Sequence, residues 1–450
     1  MSASAGDTQL VDVGMPRLSD SMEEATILTW LKRPGDAVAR GEPLVEVETD
    51  KATMVYEAET AGVLEEIVVD DGTTAELGAV IARIRPGAAD AAAPRVPATA
   101  PAPPPATAPA PPPASAPTSE AAAPVAEVEF RDAIHEALDE ELARDERVFL
   151  FGEDVAVAGG VFAVTPGLQD KHGPDRVFDT PISELAMTGA AYGAAITGRR
   201  PVLEIMFGDF LALSMDTLIN QASKYWYLTG GKQGVPLVIR SVVGGGGRFG
   251  AIHSQMPISW LLGITGLKIV APATPADAKG LLKAAIRDDN PVVFLEHKRL
   301  YSLKGEVAGD EVVPLGRARI AREGSRITLV TAMKGVHDCL EAAEELATGG
   351  IDAEVVDLRT LRPLDLETVL ASVAKTNRVA VVEEGPLTGG WAGELLALIA
   401  EHGLGELDDA WRIATPDTPI PYSPPLEDAH LPGPRRIVDE VRSRVRPVGR

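Results

Sequence analysis

The sequence predicts a multidomain chain of two classes: an all-β unit at the N-terminus, an extended arm, then two α/β units. Three observations carry this. Residues 10–85 alternate apolar and polar positions in short runs broken by Gly and Asp. Residues 91–125 contain 14 Ala and 12 Pro and no aromatic residue, so they have no apolar face to offset their ordering entropy. From residue 127 onward, amphipathic stretches alternate with short, wholly apolar runs, the pattern of a mostly parallel sheet covered on both faces.

In the first unit the strands 44–49 and 53–56 flank Asp50-Lys51, which puts Lys51 at a hairpin tip. An internal repeat runs at an offset of 37 residues: Gly35 and Gly41 match Gly72 and Gly78, while Trp30, Leu44 and Val47 match Ile67, Ile81 and Ile84. Two pseudo-equivalent halves follow. Taken by spacing alone, Lys51 is a solvated turn lysine. The Ala/Pro stretch reads as a semi-stiff spacer, extended wherever it is polyproline-like.

Beyond it, 127–146 has the pattern of an amphipathic helix, followed by strands at 148–151, 201–205, 235–239, 268–271 and 292–296. A second series starts near 326: strands 326–331, 353–358 and 379–383, with helices 336–347 and 366–374 between them. The charged stretch 304–311 is the expected boundary. The expected domains are therefore 1–86, a linker 87–126, then 127–305 and 315–450.

The formal charge is −24 over 450 residues. That argues against nucleic acid, which recruits clustered Lys and Arg, and against an anionic membrane surface. The densest part is residues 1–85, with 17 acidic and 7 basic side chains. A single cysteine, Cys339, excludes an internal disulfide or a multi-cysteine metal site and fits a reducing compartment. No apolar run is long enough to span a bilayer, and MSASAGDTQL has neither a signal-peptide nor a transit pattern. A cytoplasmic location is expected. Two motif matches carry little: Gly245–Gly250 satisfies GxGxxG but lacks the acidic residue about 20 positions on that holds a ribose. His135 and Asp139 have HxxxD spacing without a following Gly, on a helix face.

Two segments change the reading of Lys51. Glu48-Thr49-Asp50-Lys51-Ala52-Thr53, preceded by Pro16–Met22, closely resembles a lipoyl domain over residues 8–86. The resemblance implies that Lys51 carries lipoate. Biotin carriers share the fold but flank their lysine with methionines, and here the flanks are Asp50 and Ala52.

Residues 127–450 resemble the beta subunit of the thiamine-diphosphate-dependent decarboxylating component of 2-oxo acid dehydrogenase complexes. The residues that carry this are Phe151–Val155, Arg176–Glu184, Phe207–Phe210, Ile252–Gln255, Ile286–Pro291 and Asp357–Asp365. The fold implied is a transketolase-like pyrimidine-binding domain followed by a transketolase C-terminal domain. By the same resemblance Glu184 hydrogen-bonds the cofactor's aminopyrimidine ring nitrogen, and Phe210 lies against that ring. His253 is the histidine that can donate a proton during acyl transfer to lipoamide, a task suited to imidazole. Leu237, Ala285, Ile286, Asp288 and Asn290 align with a potassium site built mostly from backbone oxygens.

The Gly-Asp-Gly segment through which such enzymes bind Mg2+ and the diphosphate occurs nowhere in the chain. The resemblance therefore implies an alpha subunit that supplies it, in a heterotetramer of two alpha and two beta subunits. A lipoyl acyltransferase core and a dihydrolipoyl dehydrogenase are the further partners implied. Pyruvate is the favoured substrate; the alternatives are acetoin or a branched-chain 2-oxo acid, or a non-catalytic lipoyl carrier. Fusion of the lipoyl unit to this subunit departs from the usual pattern, where it belongs to the acyltransferase.

Overall fold

The computed structural model describes residues 10–16, 24–48, 53–86 and 125–446. These divide into two compact units, separated between Thr118 and Ser119.

The first unit is a pair of four-stranded antiparallel sheets. One runs Val11–Gly14, Val80–Pro86, Gly62–Ile67, Ala37–Val38; the other runs Thr53–Glu57, Pro43–Glu48, Glu24–Trp30, Thr74–Glu76. Strands 37 residues apart hold equivalent places in the two sheets. The matched glycines share a backbone state as well: φ is 99° and 81° at Gly35 and Gly41, 79° and 81° at Gly72 and Gly78. That left-handed region is costly for any residue with a Cβ. Leu44, Val47, Ile81 and Ile84 are each fully buried, Val47 and Ile81 in one apolar cluster and Leu44 and Ile84 in another. Burial of such side chains stabilises by about 1.5–3 kcal/mol each. Glu48 faces Thr53 across the pair Pro43–Glu48 and Thr53–Glu57; Lys51, expected at the tip between them, lies outside the described residues.

The second unit is built on two mainly parallel sheets. The first has seven strands in the order Val177–Asp179, Val148–Gly152, Arg200–Phe207, Val238–Val243, Val292–His297, Lys268–Val270, Thr360–Arg362. Its central strands are buried along their whole length, as strands covered on both faces must be. The second has five: Arg319–Arg322, Ala353–Asp357, Ile327–Thr331, Arg378–Pro386, Asp409–Thr415. The last strand of the first sheet comes from the second series. Thr360–Arg362 pairs antiparallel with Lys268–Val270, Ile269 opposite Arg362, so one backbone ladder ties the two α/β halves together.

Two expected elements differ. The helix expected at 127–146 is Phe130–Arg144, because Val125–Glu129 forms a strand against Lys304–Ala308. The charged stretch expected as a boundary thus contributes a strand that closes back on the start of the unit. The strand expected at 235–239 is Val238–Val243; Pro236 has no N–H to give a ladder, which delays the strand start. Among the described residues no helix is long and apolar enough to cross a membrane, and no cluster of three or more His, Cys, Asp or Glu could hold a metal ion.

Candidate active site

Glu184 opens the helix Glu184–Ile196, after Thr180-Pro181-Ile182-Ser183. Proline two residues before the N-cap keeps that approach extended, and a carboxylate in the first turn faces the positive end of the helix dipole. Glu184 is 7% exposed, yet its neighbours Ile182 and Leu185 are 80% and 55% exposed. A buried acid therefore sits in an uncovered apolar surface. Inside the helix, Thr188 Oγ1 donates to Ser214 Oγ at 2.7 Å. That bond fastens the helix to the segment Gly208–Ser214, which carries Phe210.

Phe210, half-buried, meets His253 edge to face, with ring centres 5.4 Å apart. Phe207 meets the same imidazole at 4.7 Å and Phe210 at 6.0 Å. All three contacts are T-shaped, the arrangement aromatic quadrupoles prefer. The structure thus joins two of the expected site residues, Phe210 and His253, in one aromatic cluster, and the Thr188–Ser214 bond connects the Glu184 helix to it. Two neighbours were not among the expected site residues. Asp209 accepts from Gln255 Nε2 at 2.7 Å. Lys298 donates to the His253 carbonyl, and its ammonium lies over the rings of Phe207 and Phe249 at 5.5 and 5.1 Å. Neither signal is readable before the strand ends are brought together.

Burial pulls the Lys298 ammonium down to about 8, against Asp209, Glu384 and Glu427, which push it up. Between pH 8 and the ordinary lysine value the unfolded chain binds one more proton than the folded chain. Stability should therefore rise with pH across that window, by roughly 3 kcal/mol for one such group. Urea unfolding at pH 8 and pH 10 should show this rise in the parent and its loss in Lys298→Met; equal slopes in the two proteins would refute it.

Behind the site lies a buried charge triad. Arg240 donates to Glu204 Oε2 at 2.7 Å and to both oxygens of Glu296 at 2.7 and 2.9 Å. Tyr301 adds its hydroxyl to Glu296 at 2.8 Å and stacks on Phe162 at 5.2 Å. Phe162 in turn meets Phe207, so the triad supports the aromatic cluster from below. Burial, opposed by Arg240, raises the Glu204 carboxyl above the ordinary range. Glu153 is raised too, by burial first and then by the charges of Glu184, Asp154 and Glu204.

The five residues aligned with a potassium site are partly gathered. Ala285 and Ile286 lie in the last turn of Pro275–Arg287, where the Ala285 carbonyl accepts from the Asp288 N–H at 3.2 Å; Asp288 and Asn290 follow. Arg200 already donates to the carbonyls of Ile286 and Asp288, at 3.1 and 3.0 Å, and the Leu237 carbonyl accepts from Val292 N at 2.9 Å. Each carbonyl keeps a second lone pair. The expected aminopyrimidine ligand is the better fit. Asp209 Oδ2, Thr180 Oγ1 and Ser254 Oγ are buried with no hydrogen-bond partner, on the three segments that carry Phe210, Glu184 and His253. Buried polar atoms left this way suit a site that takes a polar ligand.

Three family models match the chain: a biotin-requiring enzyme (biotin/lipoyl) domain over residues 11–84, a transketolase pyrimidine binding domain over 126–304 and a transketolase C-terminal domain over 316–437. The pyruvate dehydrogenase E1 component subunit beta of Rhizobium meliloti is 41% identical over 96% of this chain and 99% of its own. The acetoin:2,6-dichlorophenolindophenol oxidoreductase subunit beta of Cupriavidus necator is 47% identical over 69% of this chain and 95% of its own. The mitochondrial pyruvate dehydrogenase E1 beta subunit of Homo sapiens is 43% identical over 71% and 91%. Among solved structures, a split gene transketolase, described as an inactive beta4 tetramer, matches with a TM-score of 0.59 at 22% identity, over 70% of this chain and 97% of its own. That last likeness concerns the fold.

Proposed function

Since the chain belongs to the family of pyruvate dehydrogenase E1 beta subunits and their acetoin and 2-oxoisovalerate counterparts, we propose that it is the beta subunit of a thiamine-diphosphate-dependent pyruvate decarboxylase that acetylates lipoyl groups. The observation that carries the reading is the buried Glu184 carboxyl at a helix start within an exposed apolar surface. It is half of a site, and no Gly-Asp-Gly accompanies it in the sequence. Thiamine diphosphate, when bound, supplies a carbon nucleophile and an electron sink for decarboxylation. Glu184 holds and moves a proton at its carboxylate oxygen, toward the pyrimidine ring nitrogen. Phe210 offers an aromatic surface to that ring, and with Phe207 it keeps water from the His253 imidazole. His253 gives a proton as the acyl group passes to lipoamide.

The proposal extends to partners. An alpha subunit in a two-alpha, two-beta assembly would bring the diphosphate and Mg2+ ligands and cover Ile182 and Leu185. A lipoyl acyltransferase core and a dihydrolipoyl dehydrogenase would complete the complex, in the cytoplasm. Lys51 would carry lipoate and join the acetyl relay. Potassium would rest on the carbonyls of Leu237, Ala285, Ile286, Asp288 and Asn290, sharing two of them with Arg200. The limits 1–86, 87–126, 127–305 and 315–450 are retained as the working domains.

The test is a substrate panel on the co-purified alpha/beta pair. Pyruvate turnover should exceed that of acetoin and of 3-methyl-2-oxobutanoate at least tenfold, and the beta chain alone should turn over none of them. Intact mass of the same sample should show one lipoyl group on the chain, lost in Lys51→Arg. A preference for acetoin would overturn the pyruvate reading; turnover by the isolated chain would overturn the shared site.

A further inference from the structure

The glycine-rich segment 244–250 satisfies a nucleotide-binding spacing and binds no ribose by its sequence, so its backbone N–H groups need another account. They are filled from the C-terminal half of the second unit. Glu427 is fully buried on the short helix Pro424–His430. Its Oε1 accepts from Gly246 N at 2.8 Å, and its Oε2 accepts from Arg248 N at 3.2 Å and from Arg248 Nη1 at 2.8 Å. Every one of these donors lies in 244–250. Positive φ recurs at Gly246 and Arg248 (80° and 64°), and their N–H groups, two residues apart, converge on one carboxylate, in the manner of the nests that take an anion. Here the anion is a carboxylate of the chain itself.

The latch has a second strand of contacts. Arg248 also donates to the Pro424 carbonyl at 3.0 Å and to Asp428 at 2.8 Å. Gly250 lies so close to Tyr422 that a Cβ there would come within 2.5 Å of its ring. Gly245 N donates to Glu384 at 3.0 Å, but Glu384 is also engaged with His297 at 2.9 Å. Glu427, by contrast, spends both carboxylate oxygens on the loop. Three residues beyond that loop comes His253, whose carbonyl is held by Lys298.

We propose that Glu427 is a positioning residue for His253: its buried carboxylate fills the nest at Gly246 and Arg248 and so fixes, from the C-terminal half, the loop that presents the imidazole. This rests on the acyl-transfer role proposed for His253. Displacing a proton donor by about 1 Å lowers a rate on the order of 10²-fold. The effect should fall on acyl transfer more than on steps that do not need His253.

The experiment uses the alpha/beta complex with two assays on each preparation: pyruvate-dependent reduction of 2,6-dichlorophenolindophenol, and acetyl transfer to free lipoamide. His253→Ala should lower transfer relative to dye reduction by about 10² or more. Glu427→Ala should lower it at least tenfold relative to dye reduction. Glu427→Gln keeps an oxygen for Gly246 N–H and should lie between Glu427→Ala and the parent. If Glu427→Ala does not assemble, Arg248→Met, whose head group is partly exposed, should show the same split. Equal losses in both assays, or no loss, alongside a selective His253→Ala would overturn the positioning role and leave the role of His253 standing. A His253→Ala variant with no selectivity would overturn that role first.

Discussion

Glutamine in place of Glu184 is expected to lower pyruvate turnover by the alpha/beta pair at least 10³-fold while the protein still folds. Glutamine has the shape of the carboxyl but cannot carry its proton, and positioned acid–base groups contribute about 10²–10⁴-fold. The fold should tolerate the change, because the Glu184 side chain has no hydrogen-bond partner among the described residues. Its charge also helps to raise the Glu153 carboxyl, after burial; removing it should let Glu153 ionise more readily. Steady-state kinetics with thermal unfolding on the same sample checks both halves. A Glu184→Gln enzyme within tenfold of the parent would remove the acid from the site.

Arg240→Leu should produce the largest loss of stability. Arg240 is 1% exposed and pairs with two carboxylates, Glu204 and Glu296, contributed by the strands on either side of it. Removing one member of a buried ion pair costs about 3–5 kcal/mol, because the remaining charge stays buried without compensation. For a unit of this size that lowers the unfolding temperature by roughly 4–7 °C. The triple change Arg240→Leu, Glu204→Gln, Glu296→Gln should recover most of the loss, since no naked charge remains. Unfolding of Arg240→Leu within 2 °C of the parent would show that the triad is not what holds the three strands.

How far the sequence reaches depends on how local each cause is. The lipoyl-like unit was legible because alternation and the 37-residue glycine repeat are local, and the left-handed φ at Gly35, Gly41, Gly72 and Gly78 repeats with it. The apolar strands of the first α/β sheet were legible for the same reason. Val125–Glu129 was not, because its only reason to be a strand is a partner that arrives at Lys304–Ala308. In the site, Glu184, Phe210 and His253 were found through segments that resemble a known family. Lys298 and Glu427 were missed because each acts on residues far along the chain: 45 residues separate Lys298 from His253, and 179 separate Glu427 from Arg248. No spacing rule spans such gaps.

The strand Thr360–Arg362, which completes the first sheet from the second half, has a consequence for synthesis. Until residue 362 leaves the ribosome, Lys268–Val270 is a free edge, with one side of its backbone unpaired. Free edges recruit other strands, and domains fold as they emerge. A nascent chain stopped before residue 360 should therefore associate with its neighbours, and translation through the following ninety residues becomes the period in which a chaperone matters most.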